Sequence, residues 1–549
     1  MPPLPLYGSI EAAETARIPA GIKAVRVQVE APFPQPPSPP ASAEYVRARL
    51  EDVMAKSFPG AAVFRSADRY QPNGAEDPGG GYWLLNEEVV TPYMFGAVPG
   101  EDAVGAIRDV IAYLSARGGG RMDGLGATYL LNSGGVVVNA NDIVLENFVF
   151  QRSTATTGWL VQFARDRDTQ GGGVRNARFV GLPVVSGGNG GLAFGSAEHA
   201  ANRYVAQTID LEGFSQYGMG VANGSDWRID NIRVAAHGLV NGAIGSCIGF
   251  WIFPRMASAN GHLSNVHAEI SAACQANQSA NAAALKLQTH QNLTAYNITA
   301  VGGSEEAMAI DSVSGQISNV RVLAQGTNAG LAVGNYNPVH AFSGQTFVLD
   351  GFEVLGIDGT SSVNNFVIGG GAEGVHKLTG CTIKNGKGGG AGYLAYSATR
   401  DCTFENLDFE DLRFDAAGRG FAVNSVASTN NRYVNVVARG GVRRGVLFIE
   451  ATDSVFDGCG VAAAAGHSVG TFQLRGSRNI LRDVRANNVR GNAVTILGSD
   501  NRFDGIRLGV VSGRSIWFQP GSGNNVITSA DVRAGQGVLN DGSSSNRIR

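Results

Sequence analysis

The sequence predicts an all-β protein built as a right-handed parallel β-helix, in which successive coils of one chain stack on each other. Three features predict it: short runs of alternating apolar residues recur, glycine is common at 76 of 549 residues, and a polar residue precedes each run at a near-constant spacing. The spacing is 22, 26, 22, 24 and 21 residues between the markers Asn431, Asp453, Asn479, Asn501, Asn525 and Asn546. A fixed period above twenty residues is typical of solenoids.

The physical reason is that one coil of this size cannot bury its apolar side alone. Coils stacked about 4.8 Å apart can, because each strand then hydrogen-bonds to the strands above and below it. The runs begin near Val136, so we expect the β-helix to occupy residues 136–549. Asparagines at the bends are expected to stack in ladders. A leucine-rich repeat is the structural alternative, but its L-x-x-L-x-L frame is absent.

Residues 1–90 differ in composition and pattern from the rest of the chain and are expected to form a module of their own. Residues 31–42 are proline-rich and predict an extended linker. The glycine-rich "DPGGGYWLL" predicts turns that lead into one strand. Helical spacing in the stretch between them predicts one apolar helix face, formed by Val46, Leu50, Val53 and Met54.

Residues 91–135 predict an opening strand and a short helix that caps the first coil. Pro99 and Gly100 break the chain, Asp102 can cap the helix, and three glycines from Gly118 end it. The apolar face of this helix comprises Ala103, Ile107, Val110, Ile111 and Leu114.

Composition excludes several classes of partner. With 43 basic and 46 acidic residues the net charge is −3, which argues against nucleic-acid binding. The sequence contains no run of 18 apolar residues, the length that would predict a membrane-spanning helix. The amino terminus lacks the basic and apolar regions of a secretory signal, so we expect synthesis in a cytoplasm. Of the basic residues 37 are arginine, which fits either an acidic glycan as ligand or the codon usage of a GC-rich genome.

The five cysteines show neither CxxC spacing nor the spacing of metal ligands. We therefore expect no metal, no cofactor and no disulfide framework. Cys381 and Cys402 lie in matching contexts 21 residues apart and are expected to stack as buried side chains one coil apart.

The strand, the short helix and the runs after it resemble the pectate-lyase-like parallel β-helix proteins, in which a short helix plugs the first coil. One departure is "PGEDAVGAI", where such proteins usually carry an acidic turn with Asp-Asp-Thr. The stretches "IEAAETARIPAGIKAVRVQ" and "FRSADRYQPNGAEDPGGGYWLL", followed by "TPYMFGAV", are similar to the attachment module of bacteriophage tailspikes of this type.

This resemblance implies a virion protein that is made in the host cytoplasm and forms a homotrimer. It implies that residues 1–90 attach the chain to phage tail or head–tail proteins. It also implies that the flank of the β-helix recognises or cleaves a bacterial surface polysaccharide.

Uneven spacing in the middle of the chain points to the region of the site. The steps are 34, 32, 22, 32, 29 and 26 residues between the bends Asn231, Asn265, Asn297, Asn319, Gly351, Gly380 and Asn406. The shortest coil needs about 22 residues, so the excess must leave the coil as loops. Residues 231–410 are therefore the favoured region.

Counting outward positions from these bends gives four candidate catalytic carboxylates: Glu269, Glu353, Asp408 and Glu410. Glycoside hydrolysis usually needs an acid and a base or nucleophile about 5–10 Å apart. Glu353 and Asp408 are expected two coils apart, near 10 Å. Glu269 with His267 and Asp408 with Glu410 are the alternative pairs.

Three acidic residues in "SEEAMAID" are expected to lie in a coil connection and rank below these candidates: Glu305, Glu306 and Asp311. Four residues are candidates for binding substrate: His267, Arg321, Lys384 and Trp251. Trp251, in "CIGFWIFPR", is expected either to stack on a sugar ring or to lie in a seam between subunits.

Three functions stay open at this point. The first is a tailspike that binds a polysaccharide and hydrolyses it, and the second is a spike that binds without catalysis. The third is a polysaccharide lyase, in which His267, Arg321 and Lys384 would accept a proton and neutralise a uronate. The Asn-Thr-Asp, Asp-Asp and Gly-His-Gly motifs of polygalacturonase-type hydrolases are absent. We also expect the last coil edge to be covered by neighbouring subunits or another protein.

Overall fold

The computed structural model describes residues 3–28, 42–56, 58–182, 189–236, 246–253, 258–270, 281–303, 306–324, 329–334, 347–356, 364–368, 378–389, 394–396, 399–409, 421–423, 428–440, 445–449, 451–463, 470–487, 492–534 and 537–549. The chain divides into two compact units, Met1–Arg233 and Val234–Arg549.

The first unit begins with a five-stranded sheet of order β1-β2-β3-β5-β4, in which β1 and β2 are parallel and the other neighbours antiparallel. Its elements are β1 Leu6–Tyr7, α1 Ile10–Thr15, β2 Ala24–Gln28, β3 Ser42–Ala48, α2 Leu50–Lys56, β4 Val63–Arg65 and β5 Tyr82–Leu85.

The helix predicted from Val46 to Met54 is wrong in its first half. β3 runs through Val46, because the residues from Ser42 alternate between buried and half-buried positions, which is the period of a strand. Only α2 is helical, and Met54 on it is 69% exposed rather than part of an apolar face.

A buried ion pair lies in the core of this sheet. Arg47 Nη1 lies 2.6 Å from Asp68 Oδ1, and both side chains are at most 2% exposed. Asp68 also accepts hydrogen bonds from the Ser66 hydroxyl and from the backbone N–H of Ile18 and Tyr70. The guanidinium carbon of Arg47 lies 4.3 Å from the ring centroid of Trp83, so the cation has partners on every side.

A capping helix then leads into the coils, as predicted, although its N-cap residue is Ala103 rather than Asp102. α3, Val104–Arg117, buries Ile107, Val110 and Leu114 and packs against the first coil strands. It ends at Gly118, whose φ of 88° lies in the left-handed region that glycine adopts without strain.

The strands that follow in the first unit are β6 Val89–Val90, β7 Gly120–Asp123, β8 Thr128–Leu130, β9 Val136–Val138, β10 Ile143–Glu146, β11 Val149–Gln151, β12 Gly158–Phe163, β13 Thr169–Gln170, β14 Gly173–Val180, β15 Asn189–Phe194, β16 Ala201–Asn202, β17 Val205–Glu212, β18 Tyr217–Val221 and β19 Arg228–Ala236. Successive coils pair parallel and in register. One core column consists of Met122, Leu145, Val174 and Ala206, all fully buried.

The second unit contains β20 Ser246–Ile252, β21 Ser258–Ala259, β22 His262–Ile270, β23 Asn281–Val301, β24 Glu306–Ala324, β25 Ala329–Gly334, β26 Phe347–Gly356, β27 Asn364–Ile368, β28 Leu378–Thr379, β29 Cys381–Gly389, β30 Leu394–Tyr396, β31 Thr399–Arg400, β32 Thr403–Phe409, β33 Phe421–Val423, β34 Arg432–Gly440, β35 Gly445–Ile449, β36 Val455–Asp457, β37 Gly460–Ala463, β38 Gly470–Leu474, β39 Ile480–Asn487, β40 Val494–Ile496, β41 Arg502–Val510, β42 Ile516–Phe518, β43 Val526–Ala534, β44 Val538–Asn540 and β45 Arg547–Ile548.

These strands also stack parallel and in register from coil to coil. Val266, Ile298, Val320 and Phe352 form one continuous core column. The stacked parallel ladders and the shared apolar interior confirm the prediction of a parallel β-helix.

The bends carry an exposed asparagine ladder. Asn297 donates to Asn265 at 2.9 Å, Asn406 to Asn385 at 3.1 Å and Asn435 to Asn406 at 3.1 Å. These residues have φ between 50° and 56°, a conformation that asparagine adopts more readily than most residues. The ladder confirms the predicted stacking of bend asparagines.

A second ladder is buried and contains most of the residues that set the period. Its members hydrogen-bond from coil to coil through backbone N–H groups and side-chain oxygens: Asn431, Ser454, Asn479, Asn501, Asn525 and Asn546. The marker Asp453 is corrected to Ser454, because Asp453 has a φ of 54° and turns outward to pair with Arg478.

The two stacked cysteines extend this buried ladder. The backbone N–H of Cys402 donates to Asn431 Oδ1, and that of Cys381 donates to Cys402 Sγ at 3.4 Å. Burial raises the pKa of the Cys381 thiol. The prediction that these two residues stack one coil apart is confirmed.

Candidate functional site

An outward column of polar and mostly charged residues runs along the second unit, two positions after each bend. In register, its members are His267, Thr299, Arg321, Glu353, Lys387 and Asp408. They lie outward because the residue after each bend points into the core and side chains alternate from there. We refer to these six residues as the charged column.

Lys384 lies before the bend of its coil rather than four positions after it, which corrects the position counted from Gly380 in the sequence. The bend of its coil is Asn385 rather than Gly380, so Lys384 precedes the bend and pairs with Asp350 in register. Lys384 Nζ lies 3.2 Å from Asp350 Oδ2. Gly380 also has a positive φ, but it belongs to a different turn of the same coil.

Glu353 lies between two cations of the charged column. Arg321 Nε lies 3.4 Å from Glu353 Oε2 on one side, and Lys387 Nζ lies 2.9 Å from Glu353 Oε1 on the other. Lys387 was missed in the sequence, because counting from Gly380 places Thr382 in its position. The two cations compensate the charge of Glu353 and fix its carboxylate on the surface.

Asp408 follows Lys387 on the next coil, so Glu353 and Asp408 are two coils apart. Two coil spacings amount to about 9.6 Å between the backbones. That separation is near the upper end of the range in which one water fits between the carboxyl groups of an inverting glycosidase. Lys387 lies between the two carboxylates in the register.

Of the other predicted carboxylates, Glu269 lies apart from this pair. His267 Nε2 and Glu269 Oε2 are 3.7 Å apart at the start of the column, and both side chains are exposed to solvent in large part. His267 lies three coils from Glu353, about 14 Å by the coil spacing. Glu410 lies outside the described residues.

Trp251 is half-buried and is held in place on another outward face of the unit. Its indole N–H donates to Gln288 Oε1 at 2.6 Å, and its ring stacks on Phe253 with centroids 4.0 Å apart. In register, Trp251 lies beside Lys286 of the next coil. The indole orientation is therefore set by contacts on two sides.

Buried charged groups surround this tryptophan. Lys286 Nζ lies 3.3 Å from Glu306 Oε2, with the side chains 8% and 18% exposed. Asp311, 3% exposed, accepts a hydrogen bond from the Ser312 hydroxyl and lies 3.5 Å from Gln288 Nε2. We refer to Trp251, Lys286, Gln288, Glu306 and Asp311 as the Trp251 cluster.

The locations of Glu306 and Asp311 correct the predicted coil connection, whereas Glu305 lies outside the described residues. Both residues lie in strand β24 rather than in a coil connection. They are five residues apart in one strand, about 16 Å between the backbones, which is wide for an acid–base pair. Glu306 is ion-paired with Lys286, and Asp311 accepts hydrogen bonds from the Ser312 hydroxyl and from Gln288 Nε2.

His290, on β23, is fully buried. Burial lowers its pKa to about 4, so the imidazole is neutral at physiological pH. Within the described residues, no group of three or more histidine, cysteine, aspartate or glutamate side chains could hold a metal ion. None of the helices in the described ranges has the length and apolar character needed to cross a membrane.

No protein-family model matches the chain, and no curated protein matches it. Solved structures similar to it include the full-length tailspike protein 2 from Escherichia coli O157:H7 bacteriophage CAB120, 13% identical over 88% of this chain and 51% of that chain, with a TM-score of 0.37. A mutant tailspike of E. coli bacteriophage HK620 in complex with a pentasaccharide is 12% identical over 91% of this chain and 86% of that chain, with a TM-score of 0.38.

The surface adhesin PfbA of Streptococcus pneumoniae is 12% identical over 80% of this chain and 92% of that chain, with a TM-score of 0.36. The chain spans about half the length of the tailspike from bacteriophage CAB120. Its function has to be inferred from its own surface.

Proposed function

We propose that this chain is a polysaccharide-binding spike protein, and that the Trp251 cluster forms its principal sugar-binding surface. The observation that carries the proposal is a half-buried indole fixed by Gln288 beside buried charged groups. An aromatic face packs against the C–H face of a sugar ring, and nearby amide and carboxylate oxygens accept hydrogen bonds from the sugar hydroxyl groups.

The wider assignment follows the sequence resemblance. The chain acts as a bacteriophage tailspike, and its ligand is a bacterial surface polysaccharide. It assembles as a homotrimer in the virion, and residues 1–90 with their compact sheet attach it to phage tail or head–tail proteins. The three segments 1–90, 91–135 and 136–549 serve attachment, capping and recognition.

The test compares two tryptophans of the same outward face. Trp517 is also half-buried, and its indole N–H also donates to a side chain, Asp541 Oδ2 at 2.9 Å. Trp251→Ala should weaken binding of purified host polysaccharide about threefold to tenfold, because a stacked ring contributes about 0.5–1.5 kcal/mol. Trp517→Ala should leave the affinity unchanged.

Titration calorimetry with capsule or lipopolysaccharide fragments gives the two affinities. Equal affinities for the wild type and Trp251→Ala would refute the sugar-stacking role. A change in oligomeric mass upon Trp251→Ala, measured by light scattering, would instead assign the indole to a seam between subunits.

Cleavage is the second candidate function, favoured by the two-coil separation of Glu353 and Asp408. In this proposal one carboxylate protonates the leaving oxygen and the other activates water, with Arg321 and Lys387 binding anionic or hydroxyl groups of the substrate. A non-catalytic spike and a lyase are the alternatives. The lyase would use the cations of the charged column to neutralise a uronate.

Glu353→Gln and Asp408→Asn should each reduce the release of reducing ends about 10²–10⁴-fold, the usual contribution of a general acid or base. Asp350→Asn is the matched control, since Asp350 is ion-paired one column away and should leave the rate unchanged. Full activity in both variants would exclude this pair. Unsaturated products would show a lyase, and the absence of any product from the wild type would show a binding protein.

A further inference from the structure

Arg152 in the first unit is a buried cation, and two of its three side-chain nitrogens make no hydrogen bond among the described residues. It follows strand β11, and its side chain is 1% exposed. Its Nη1 group donates to the carbonyl oxygens of Thr156 and Gly158 at 2.8 and 3.1 Å. These two bonds fix the guanidinium beneath the turn of residues 153–158.

The Nε and Nη2 groups of Arg152 are buried and have no hydrogen-bond partner among the described residues. These two nitrogens form one edge of the guanidinium, and that edge matches the two oxygens of a carboxylate. The Thr156 hydroxyl nearby is buried and without a partner as well. The pattern is that of a donor site with two parallel N–H groups, which suits a bidentate acceptor.

The local electrostatics favour an anion at this edge. Burial lowers the pKa of Arg152, and no acidic group among the described residues opposes this shift. Burying a cation whose N–H groups make no hydrogen bonds lowers the stability of the fold by several kcal/mol, unless an anion or water accepts those hydrogen bonds. Arg152 donates its backbone N–H to the carbonyl oxygen of Val180.

An aromatic surface begins at Trp159, the residue after Gly158, whose carbonyl oxygen accepts a hydrogen bond from Arg152. Trp159 and Tyr217 are half-buried and stack with centroids 5.6 Å apart, although they belong to coils separated by Gly190. A Cβ atom on Gly190 would lie 2.4 Å from Trp159 Cε3, so only glycine lets the indole lie across the middle coil. The two rings offer a flat surface for a pyranose ring.

We propose that Arg152 and the Trp159–Tyr217 surface bind a carboxylated sugar, with the carboxylate on Nε and Nη2 and the ring on the aromatic pair. This inference rests on the proposed function and specifies its ligand as an acidic polysaccharide. Entry requires movement of the turn of residues 153–158, which consists of small, mostly exposed residues. The Thr156 hydroxyl then donates to a ligand oxygen.

The test uses the full chain and three probes at equal ionic strength: glucuronate, acetate and glucose. Glucuronate should raise the midpoint of thermal unfolding with a saturable dose dependence, because a ligand of the folded state stabilises it. Acetate should act only at higher concentration, and glucose should have no effect. Arg152→Met should weaken glucuronate binding at least about tenfold, the loss expected for two charge-assisted hydrogen bonds.

A crystal of the wild-type protein soaked in glucuronate keeps the test decisive should Arg152→Met fail to fold. A carboxylate on Nε and Nη2 supports the proposal, whereas ordered water alone at these atoms overturns it. Equal responses to glucuronate and acetate would show a site for small carboxylates and overturn the assignment to sugar. Intact polysaccharide binding without a glucuronate response would overturn the Arg152 site and leave the proposed function standing.

Discussion

At the scale of single residues, Asp68 shows how burial and hydrogen bonding oppose each other. Burial raises the pKa of its carboxyl group, but hydrogen bonds from Arg47, Ser66 and the Tyr70 backbone outweigh burial, so that the pKa is lowered overall. The folded pKa therefore lies below the unfolded one. The ion pair stabilises the N-terminal sheet fully above the unfolded pKa near 4, and this contribution is lost as the pH falls through the folded pKa.

We expect Asp68→Asn to destabilise the N-terminal sheet by about 3–5 kcal/mol at pH 7, because it leaves the cation of Arg47 buried without its counter-charge. Hydrogen exchange of peptides from residues 60–85 would measure the effect. The difference between wild type and variant should shrink between pH 5 and pH 2. A difference that stays constant over this range would contradict the assigned ionisation.

The sequence predicts the members of the charged column only in coils where it identifies the bend residue correctly. Glu353 and Asp408 fall in one column as counted from the sequence, because the bends assigned at Gly351 and Asn406 have positive φ in the structure as well. The coil between them offers two turn-forming residues, Gly380 and Asn385, and the sequence does not distinguish them. Both have positive φ in the structure, and the choice decides whether Thr382 or Lys387 lies in the column.

At the scale of elements, the errors lie where local pattern and tertiary pairing disagree. Val46 fits a helical spacing with Leu50, Val53 and Met54, but pairing of β3 with β2 and β5 makes its segment a strand. β24 begins at Glu306, in a stretch whose charge predicted a connection. Pairing of β24 with its neighbouring coils extends the strand through both acidic residues.

Stabilisation by the buried ladder is tested with a matched pair of substitutions. The side chain of Asn501 is buried. Its Oδ1 accepts a hydrogen bond from the backbone N–H of Asn479, and its Nδ2 donates to the carbonyl oxygen of Gly476 at 3.1 Å. Asn501→Asp should lower the free energy of unfolding by about 3 kcal/mol, because it buries a carboxylate and leaves a carbonyl unpaired.

Asn406→Asp is the control, since Asn406 belongs to the exposed ladder and aspartate also tolerates its positive φ. Its effect should stay within about 0.5 kcal/mol. Thermal unfolding at pH 7 measures both variants. Similar losses in the two would show that burial does not distinguish the ladders.

At the scale of the whole molecule, the coil architecture was predictable because the period is set by buried side chains. The inner position of each coil is confined between two neighbours that need a donor and an acceptor, so its residue type repeats. Loops carry no such restraint. The loops expected within residues 231–410 fall largely outside the described residues, including 237–245, 271–280, 335–346, 357–363 and 369–377.

The interchangeable members of the buried ladder have a consequence for how such a chain can change its length. Asn479, Asn501 and Asn525 each donate a backbone N–H to the side-chain oxygen of the next ladder member. Deleting or duplicating one full coil would therefore bring an equivalent donor and acceptor together at every rung. Insertions of a few residues within a strand would break that correspondence. Gene duplication could therefore lengthen or shorten the molecule in whole turns while its cross-section stays the same.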